Sequence, residues 1–237
     1  MSDILLYGGI YEWTVERFIK DLNASGKDVT VRVNSDGGSP SDAMGLIAVL
    51  QDKQKKGKVK LCADGKANSM ASFLFCYVDD TECLETTTFG IHRAGYSSYI
   101  EDDPQRLTQA MKDERDRINA FLRPAFEAKI DANQLYAIKG ITVDELFSTE
   151  TRKLVILNAQ EAKQIGLVKK VIPITPEKKM QIEASLKAFE EAQKEKTTLY
   201  MESLKQAKEA MQQAEKNNAT ELELYKKFKI FNVILNI

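Results

Sequence analysis

Gly65-Lys66-Ala67-Asn68-Ser69-Met70-Ala71-Ser72-Phe73 joins two patterns of different period. Upstream, residues 59–63 form a short apolar, partly β-branched run that reads as a strand. Downstream, residues 70–78 form a dense apolar run that reads as a buried helix. A serine at such a junction meets the N–H groups that a first helical turn leaves unpaired and the positive end of the helix dipole. Both stabilise a developing oxyanion and suit a nucleophile. The plain alternative is a tight turn with no chemistry, so the surrounding sequence has to decide.

Moving outward, the same alternation repeats. Strands are expected at residues 4–7, 29–34, 59–63 and 88–91, with a later one at 168–172. Helices are expected at 14–23 and 41–54, the second with Ala43, Leu46, Ile47 and Leu50 on one face and lysines at its end, where they suit the dipole. Repeated β–α–β units imply an α/β fold with a mostly parallel sheet. A long helix is expected to start at Asp103-Pro104, a cap followed by proline in the first turn. It carries Leu107, Met111, Ile118, Leu122 and Phe126, and Pro124 should kink it or end it early.

Composition changes near Pro173 and Pro176, dividing the chain into residues 1–173 and an extension, 174–237. The extension is rich in Glu, Lys, Gln and Ala. Its apolar positions (Ile182, Leu186, Phe189, then Tyr200, Leu204, Ala207, Met211, Ala214) are spaced almost as heptads. It reads as a charged helix, either packed on the domain or a neighbour, or forming a coiled coil. The apolar tail, residues 228–237, requires a cover.

The 237 residues carry a formal net charge of −1, so nothing in the overall charge calls for a nucleic-acid partner. No apolar run reaches the roughly 18 residues that span a bilayer, and the N-terminus lacks a secretory pattern. Cys62, Cys76 and Cys83 lack metal-ligand spacing and read as buried free thiols in a reducing compartment, the cytoplasm. No metal or cofactor is called for.

Two further motifs bear on the serine. Val33-Asn34-Ser35-Asp36-Gly37-Gly38-Ser39 ends a strand, and paired glycines let backbone N–H groups approach a ligand oxygen. It lacks the glycine spacing and Lys-Ser/Thr of a phosphate loop. His92, in Phe89-Gly90-Ile91-His92-Arg93, is the only histidine of the chain, so any Ser–His chemistry must use it.

Glycine pair, serine and histidine in this order resemble the proteolytic subunit family of Clp peptidases, over roughly residues 4–172. Leu6-Tyr7-Gly8-Gly9-Ile10 resembles the family's opening strand and turn. Residues 33–39 resemble its INSPGG motif, with Asp36 where proline is common; residues 65–73 resemble its nucleophile turn, with Asn68 replacing a small residue. Ile91-His92 matches its M-I-H element. Leu157-Asn158-Ala159-Gln160-Glu161-Ala162, then Ile165-Gly166-Leu167-Val168, resembles the segment near the family's domain end.

The resemblance implies a Clp- and crotonase-like spiral of β–α–β units with a long handle helix, and an oligomeric serine endopeptidase of stacked heptameric rings. Ser69 would be the nucleophile, His92 the base, and the N–H groups of Gly38 and Met70 the oxyanion hole. Gly37, Gly95, Tyr96 and Ser97 would bind the polypeptide substrate. In the family an acid lies three residues before the leucine of the domain-end segment, where this chain has Leu154. Glu150, in Thr149-Glu150-Thr151, is the candidate third member and Asp144 the second choice; otherwise a backbone carbonyl, an amide or a water holds the imidazole.

The first strand starts close to Met1, which implies weak docking to an unfoldase ATPase. Short-N-terminus members of this type resemble those of phage head-assembly modules, so scaffold or capsid proteins are further expected partners. Three alternatives stand beside the peptidase: an assembly scaffold without activity, a crotonase-type acyl-CoA enzyme, and a Ser–Lys mechanism that would leave His92 idle.

Overall fold

Val29, Val31 and Val33 alternate with Thr30, Arg32 and Asn34, and each valine is fully buried. Period-two burial of β-branched side chains is what a half-buried strand requires. In the computed structural model these residues form β2 (Val29–Ser35), flanked by β1 (Ser2–Tyr7) and β3 (Val59–Asn68). Helix α1 (Glu12–Ala24) connects β1 to β2, and α2 (Pro40–Lys56) connects β2 to β3. Then come α3 (Met70–Tyr77), β4 (Asp80–Leu84) and β5 (Thr88–Ile91). Helices α4 (Ser98–Glu101), α5 (Gln109–Lys129), α6 (Ala132–Lys139) and α7 (Val143–Leu146) follow. The domain closes with β6 (Val155–Asn158), α8 (Ala159–Gln164) and β7 (Lys170–Ile172). The structure describes residues 2–177 except 97, 102 and 104, and beyond them positions 180, 202, 205, 206 and 209. Contacts divide the chain into two units, Met1–Ile174 and Thr175–Ile237. The expectations for a heptad-spaced helix and an apolar tail lie outside the described residues.

The sheet order is β1-β2-β3-β4-β7, parallel throughout, as the repeated β–α–β reading requires. β3 runs five residues beyond the expected end at Ala63, because it serves two neighbours in turn. Lys60–Ala63 pair with β4, whereas Lys66–Asn68 pair with β5. β6 then adds antiparallel to β5. Between β2 and β3 the register jumps: Val33 is opposite Ala63 but Ser35 is opposite Ala67. This bulge brings the end of β2 level with the end of β3, just where Gly37 and Ser69 follow.

The long helix starts later than expected and runs on past Pro124. Asp103 is spent on a turn, its carbonyl accepting from the N–H groups of Arg106 and Leu107 and its Oδ1 from Gln105 N–H. Thr108 caps α5 instead, accepting from Met111 N–H at 3.3 Å. Pro124 lies inside α5 and does not end it. Ile118, Leu122 and Phe126 are buried on one face, and Phe126 packs against Phe73 and Phe147 at centroid separations of 5.9 Å for each. Aromatic pairs of this kind contribute about 0.5–1.5 kcal/mol each beyond their area, and the apolar face holds the helix together past its missing N–H.

Cys62 and Cys83 are buried and Cys76 half-buried, all as free thiols. Burial pushes all three up to about 12, so they are inert packing groups. Among the described residues no helix is long and apolar enough to cross a membrane.

Candidate active site

Ser69 stands between the last residue of β3 and the first of α3, with φ 53° and ψ −128°. It is the one non-glycine residue with positive φ among those described. A side chain held in such a sparsely populated conformation needs a surrounding that over-determines it. Here Ser69 N–H donates to the Gly90 carbonyl of β5 at 2.6 Å, and Ser72 N–H and Oγ return to the Ser69 carbonyl at 2.9 and 2.7 Å. Among the described residues no hydrogen bond engages the Ser69 Oγ, which lines a cleft.

The glycine pair closes on this turn. Gly37 has φ 86°, and a Cβ there would lie 2.6 Å from the Asn68 carbonyl and 2.8 Å from both Met70 N and Ser69 Cβ. Gly38 bridges Ile10 in parallel: Ile10 N–H donates to the Gly37 carbonyl and Ser39 N–H to the Ile10 carbonyl, each at 2.8 Å. In that pattern the Gly38 N–H turns away from Ile10. Met70 is the first residue of α3, so its N–H has no acceptor within the helix. Gly37, Gly38, Ser69, Met70 and His92 line one cleft of about 450 Å³ with Asp36, Gly95 and Arg152. Among the described residues, no group of three or more His, Cys, Asp or Glu could hold a metal ion.

His92 follows β5 and is half-buried. Its Nδ1 lies 2.7 Å from the Arg93 carbonyl, which can only accept, so Nδ1 carries the proton and Nε2 the lone pair. Arg152 Nη2 lies 3.2 Å from Nε2 and 3.1 Å from Nδ1, nearly equidistant from the two, which sets it against the ring and leaves the in-plane Nε2 lone pair clear. No hydrogen bond joins His92 to Ser69. Burial holds the imidazole below its ordinary value against the Arg93 carbonyl, with the charges of Arg152 and Arg93 acting in the same direction as burial. The ring is therefore neutral near pH 7, the state a general base requires.

Arg93 is 2% exposed and forms a bidentate pair with Glu101 at 2.9 and 3.1 Å. Its Nε donates to the Ser148 carbonyl at 2.7 Å, tying the segment after β5 to the one after α7. Burial alone would raise Glu101, but hydrogen bonds from Arg93 and from Tyr96 N–H more than offset it and hold the carboxyl below its ordinary value. This network fixes the backbone whose carbonyl orients His92.

A family model for Clp protease matches residues 2–175. The chain belongs to the Clp protease family. Among curated proteins no sequence matches it. Clp proteases are serine-type peptidases, and the family typically assembles as rings.

Against the Clp pattern, the two substituted motif positions meet. Asn68 Nδ2 donates to Asp36 Oδ1 at 3.1 Å, and Asn68 Oδ1 accepts from Gly90 N–H at 2.8 Å. Lys66 Nζ donates to the other Asp36 oxygen at 2.6 Å, and together these hold Asp36 below the usual carboxylate range, Lys66 foremost. Leu154, at the position of the Clp acid, is 62% exposed. Glu150 is exposed, and among the described residues its one hydrogen bond runs from its N–H to Ser148 Oγ. Asp144 is paired with Arg123. Among the described residues neither carboxylate is hydrogen-bonded to His92: the segment after α7 brings Arg152 to the ring, and the Arg93 carbonyl lies at Nδ1. Tyr96 lies beside the cleft with its N–H donating to Glu101 and its carbonyl accepting from Arg152 at 3.0 Å. Ser97 lies outside the described residues. Arg93 and Arg152 were not anticipated; the only signal was their adjacency to His92 and to Glu150.

Proposed function

We propose that this Clp protease hydrolyses peptide bonds through an acyl-enzyme on Ser69. The observation that carries the reading is the strained Ser69 turn, clasped by Gly37 and opening on the same cleft as the chain's one imidazole. Ser69 Oγ attacks the scissile carbonyl while its proton passes to His92 Nε2. The tetrahedral oxyanion lies against the N–H groups of Gly38 and Met70, and the dipole of α3 adds to them. His92 then returns the proton to the leaving amine, and water completes hydrolysis by the reverse route. The Arg93 carbonyl does the orienting usually done by a carboxylate: it fixes the Nδ1–H tautomer but supplies no full negative charge to the imidazolium. Turnover is therefore slower than with an acid in that place. We place the activity in stacked heptameric rings acting on unfolded polypeptides or on scaffold and capsid proteins during phage head maturation. Support for assembly comes from family membership.

A second reading is an assembly protein that keeps the fold without turnover. The absent Ser69–His92 hydrogen bond favours it. A fluorophosphonate probe separates the two. Labelling of assembled protein that vanishes in Ser69→Ala and falls strongly in His92→Ala supports the peptidase; no labelling at neutral pH leaves the scaffold.

A further inference from the structure

Ile118, Leu122 and Phe126 make the buried stripe of α5, and Asn119 lies within it at 8% exposed. An apolar residue costs least in such a place, and a buried amide is tolerated only where its polar groups are paired. Both ends of this amide go to one residue of the segment after β5. Asn119 Oδ1 accepts from Ala94 N–H at 2.8 Å, and Asn119 Nδ2 donates to the Ala94 carbonyl at 3.0 Å. Arg93 Nη1 donates to that same carbonyl at 3.1 Å. The side chain thus pairs with Ala94 as a residue of a neighbouring antiparallel strand would, through both main-chain groups.

The Ala94 N–H and the Arg93 carbonyl belong to one peptide unit, which is planar. That carbonyl lies 2.7 Å from His92 Nδ1, so one rigid plane carries the imidazole on one edge and Asn119 on the other. Rotating the plane would swing its carbonyl away from Nδ1, and the bond to Asn119 resists the rotation. Hydrogen bonds in series also polarise one another. Accepting from Ala94 N–H makes the Arg93 carbonyl a stronger acceptor, most of all when His92 becomes a cation. The Arg93–Glu101 pair anchors the side chain of Arg93, whereas Asn119 grips the peptide itself.

We propose that Asn119 is a positioning residue for His92, acting from α5 through the Arg93–Ala94 peptide. This rests on Ser69 and His92 acting as proposed above. Asn119 keeps the imidazole proton on Nδ1 and the lone pair on Nε2, the one neutral form that can take the Ser69 proton. Without it the ring is free to carry its proton on Nε2, where it is no base toward Ser69. Asn119 touches neither substrate nor reacting atoms. The relay reproduces the orienting role of a carboxylate and leaves out its charge.

The chain has one histidine, so ¹⁵N-histidine in full-length Ser69→Ala protein reads the His92 tautomer alone and without turnover. At about pH 8, where a ring held below its ordinary value is neutral, the Nδ1–H form should dominate. Adding Asn119→Ala leaves room for water to pair the Ala94 groups, so the fold survives while the peptide plane loses its fixed partner. The ratio of Nδ1–H to Nε2–H forms should then fall about tenfold, the equivalent of one hydrogen bond. Asn119→Asp offers Ala94 N–H an acceptor in either protonation state and should hold the ratio. Leu50→Ala opens a cavity in the core beneath α2, outside the cleft, and should destabilise the protein without moving the ring signals. With Ser69 in place, fluorophosphonate labelling at saturating probe should slow about tenfold in Asn119→Ala and be kept in Asn119→Asp. A dominant Nε2–H form with Asn119 intact overturns the positioning role, whether or not any variant folds. So does a ratio unmoved in folded Asn119→Ala, or moved equally by Leu50→Ala. Absent labelling of the wild type overturns the peptidase reading and the role with it; normal labelling with an unmoved tautomer overturns the role alone.

Discussion

Replacing Ser69 by glycine should make the protein more stable than replacing it by alanine, the reverse of what the two residues usually do. Ser69 sits at φ 53°, ψ −128°, a conformation that costs a residue with a Cβ about 1–3 kcal/mol and glycine almost nothing. Among the described residues its hydroxyl has no hydrogen-bond partner, so Ser69→Ala keeps the strain and removes no bond; its stability should stay within about 0.5 kcal/mol of wild type. Ser69→Gly relieves the strain but gives the unfolded chain more freedom, which subtracts about 0.5–1 kcal/mol. The balance leaves glycine ahead of alanine by about 1 kcal/mol. Equilibrium urea unfolding at one fixed protein concentration reads this as a higher midpoint with an unchanged slope. A glycine variant equal to or below the alanine variant refutes the claim that the turn stores strain, and with it the structural argument for a nucleophile there.

Gly37→Ala should lose nearly all fluorophosphonate labelling and at least about 1–3 kcal/mol of stability, since its Cβ meets backbone atoms of the Ser69 turn at 2.6–2.8 Å in a left-handed position; urea unfolding and probe labelling check the two halves. Arg93→Met should cost about 3–5 kcal/mol by leaving Glu101 buried without its partner, and adding Glu101→Gln should recover part of it. If the single variant unfolds at the wild-type midpoint, the pair is not holding the His92 backbone. Labelling should rise with pH and level off, with its midpoint below 6.5, because the lowered His92 loses its proton earlier than a free imidazole. By the same linkage the unfolded chain binds the proton more readily, so His92 subtracts stability as pH falls below 6.5. A labelling midpoint above 6.5 contradicts the burial and neighbouring charges as the cause.

β2, β5 and the helices on either side of Ser69 were readable because one side-chain period dominates each. β4 was not: Asp80, Thr81 and Glu82 give it a polar start, and its burial comes from pairing with β3 and β7 across long separations. β6 does alternate, with Val155 and Leu157 buried, yet only its antiparallel partner β5 marks those four residues as a strand. Asp103 carried a sound helix-start signal, and local hydrogen bonds diverted it into a turn. At the site, Ser69, His92 and the glycines were legible because their chemistry depends on residue type. Which carbonyl meets His92 Nδ1 was not, because a backbone group has no letter in the sequence. Arg93 reads as a surface residue, and its burial depends on Glu101 and on a carbonyl 55 positions away.

The contact between Asp36 and Asn68 constrains how this chain could have diverged from the commoner family motif. Proline at 36 alone leaves the Asn68 amide and the Lys66 ammonium to water; a small residue at 68 alone removes one partner of Asp36 and frees the Gly90 N–H. Each single step lands beside Ser69, whose own N–H is anchored on the Gly90 carbonyl. Changing both together removes the whole arrangement and leaves fewer polar groups unpaired. The two positions are thus joined by one hydrogen bond, and replacing both removes it without leaving either partner alone.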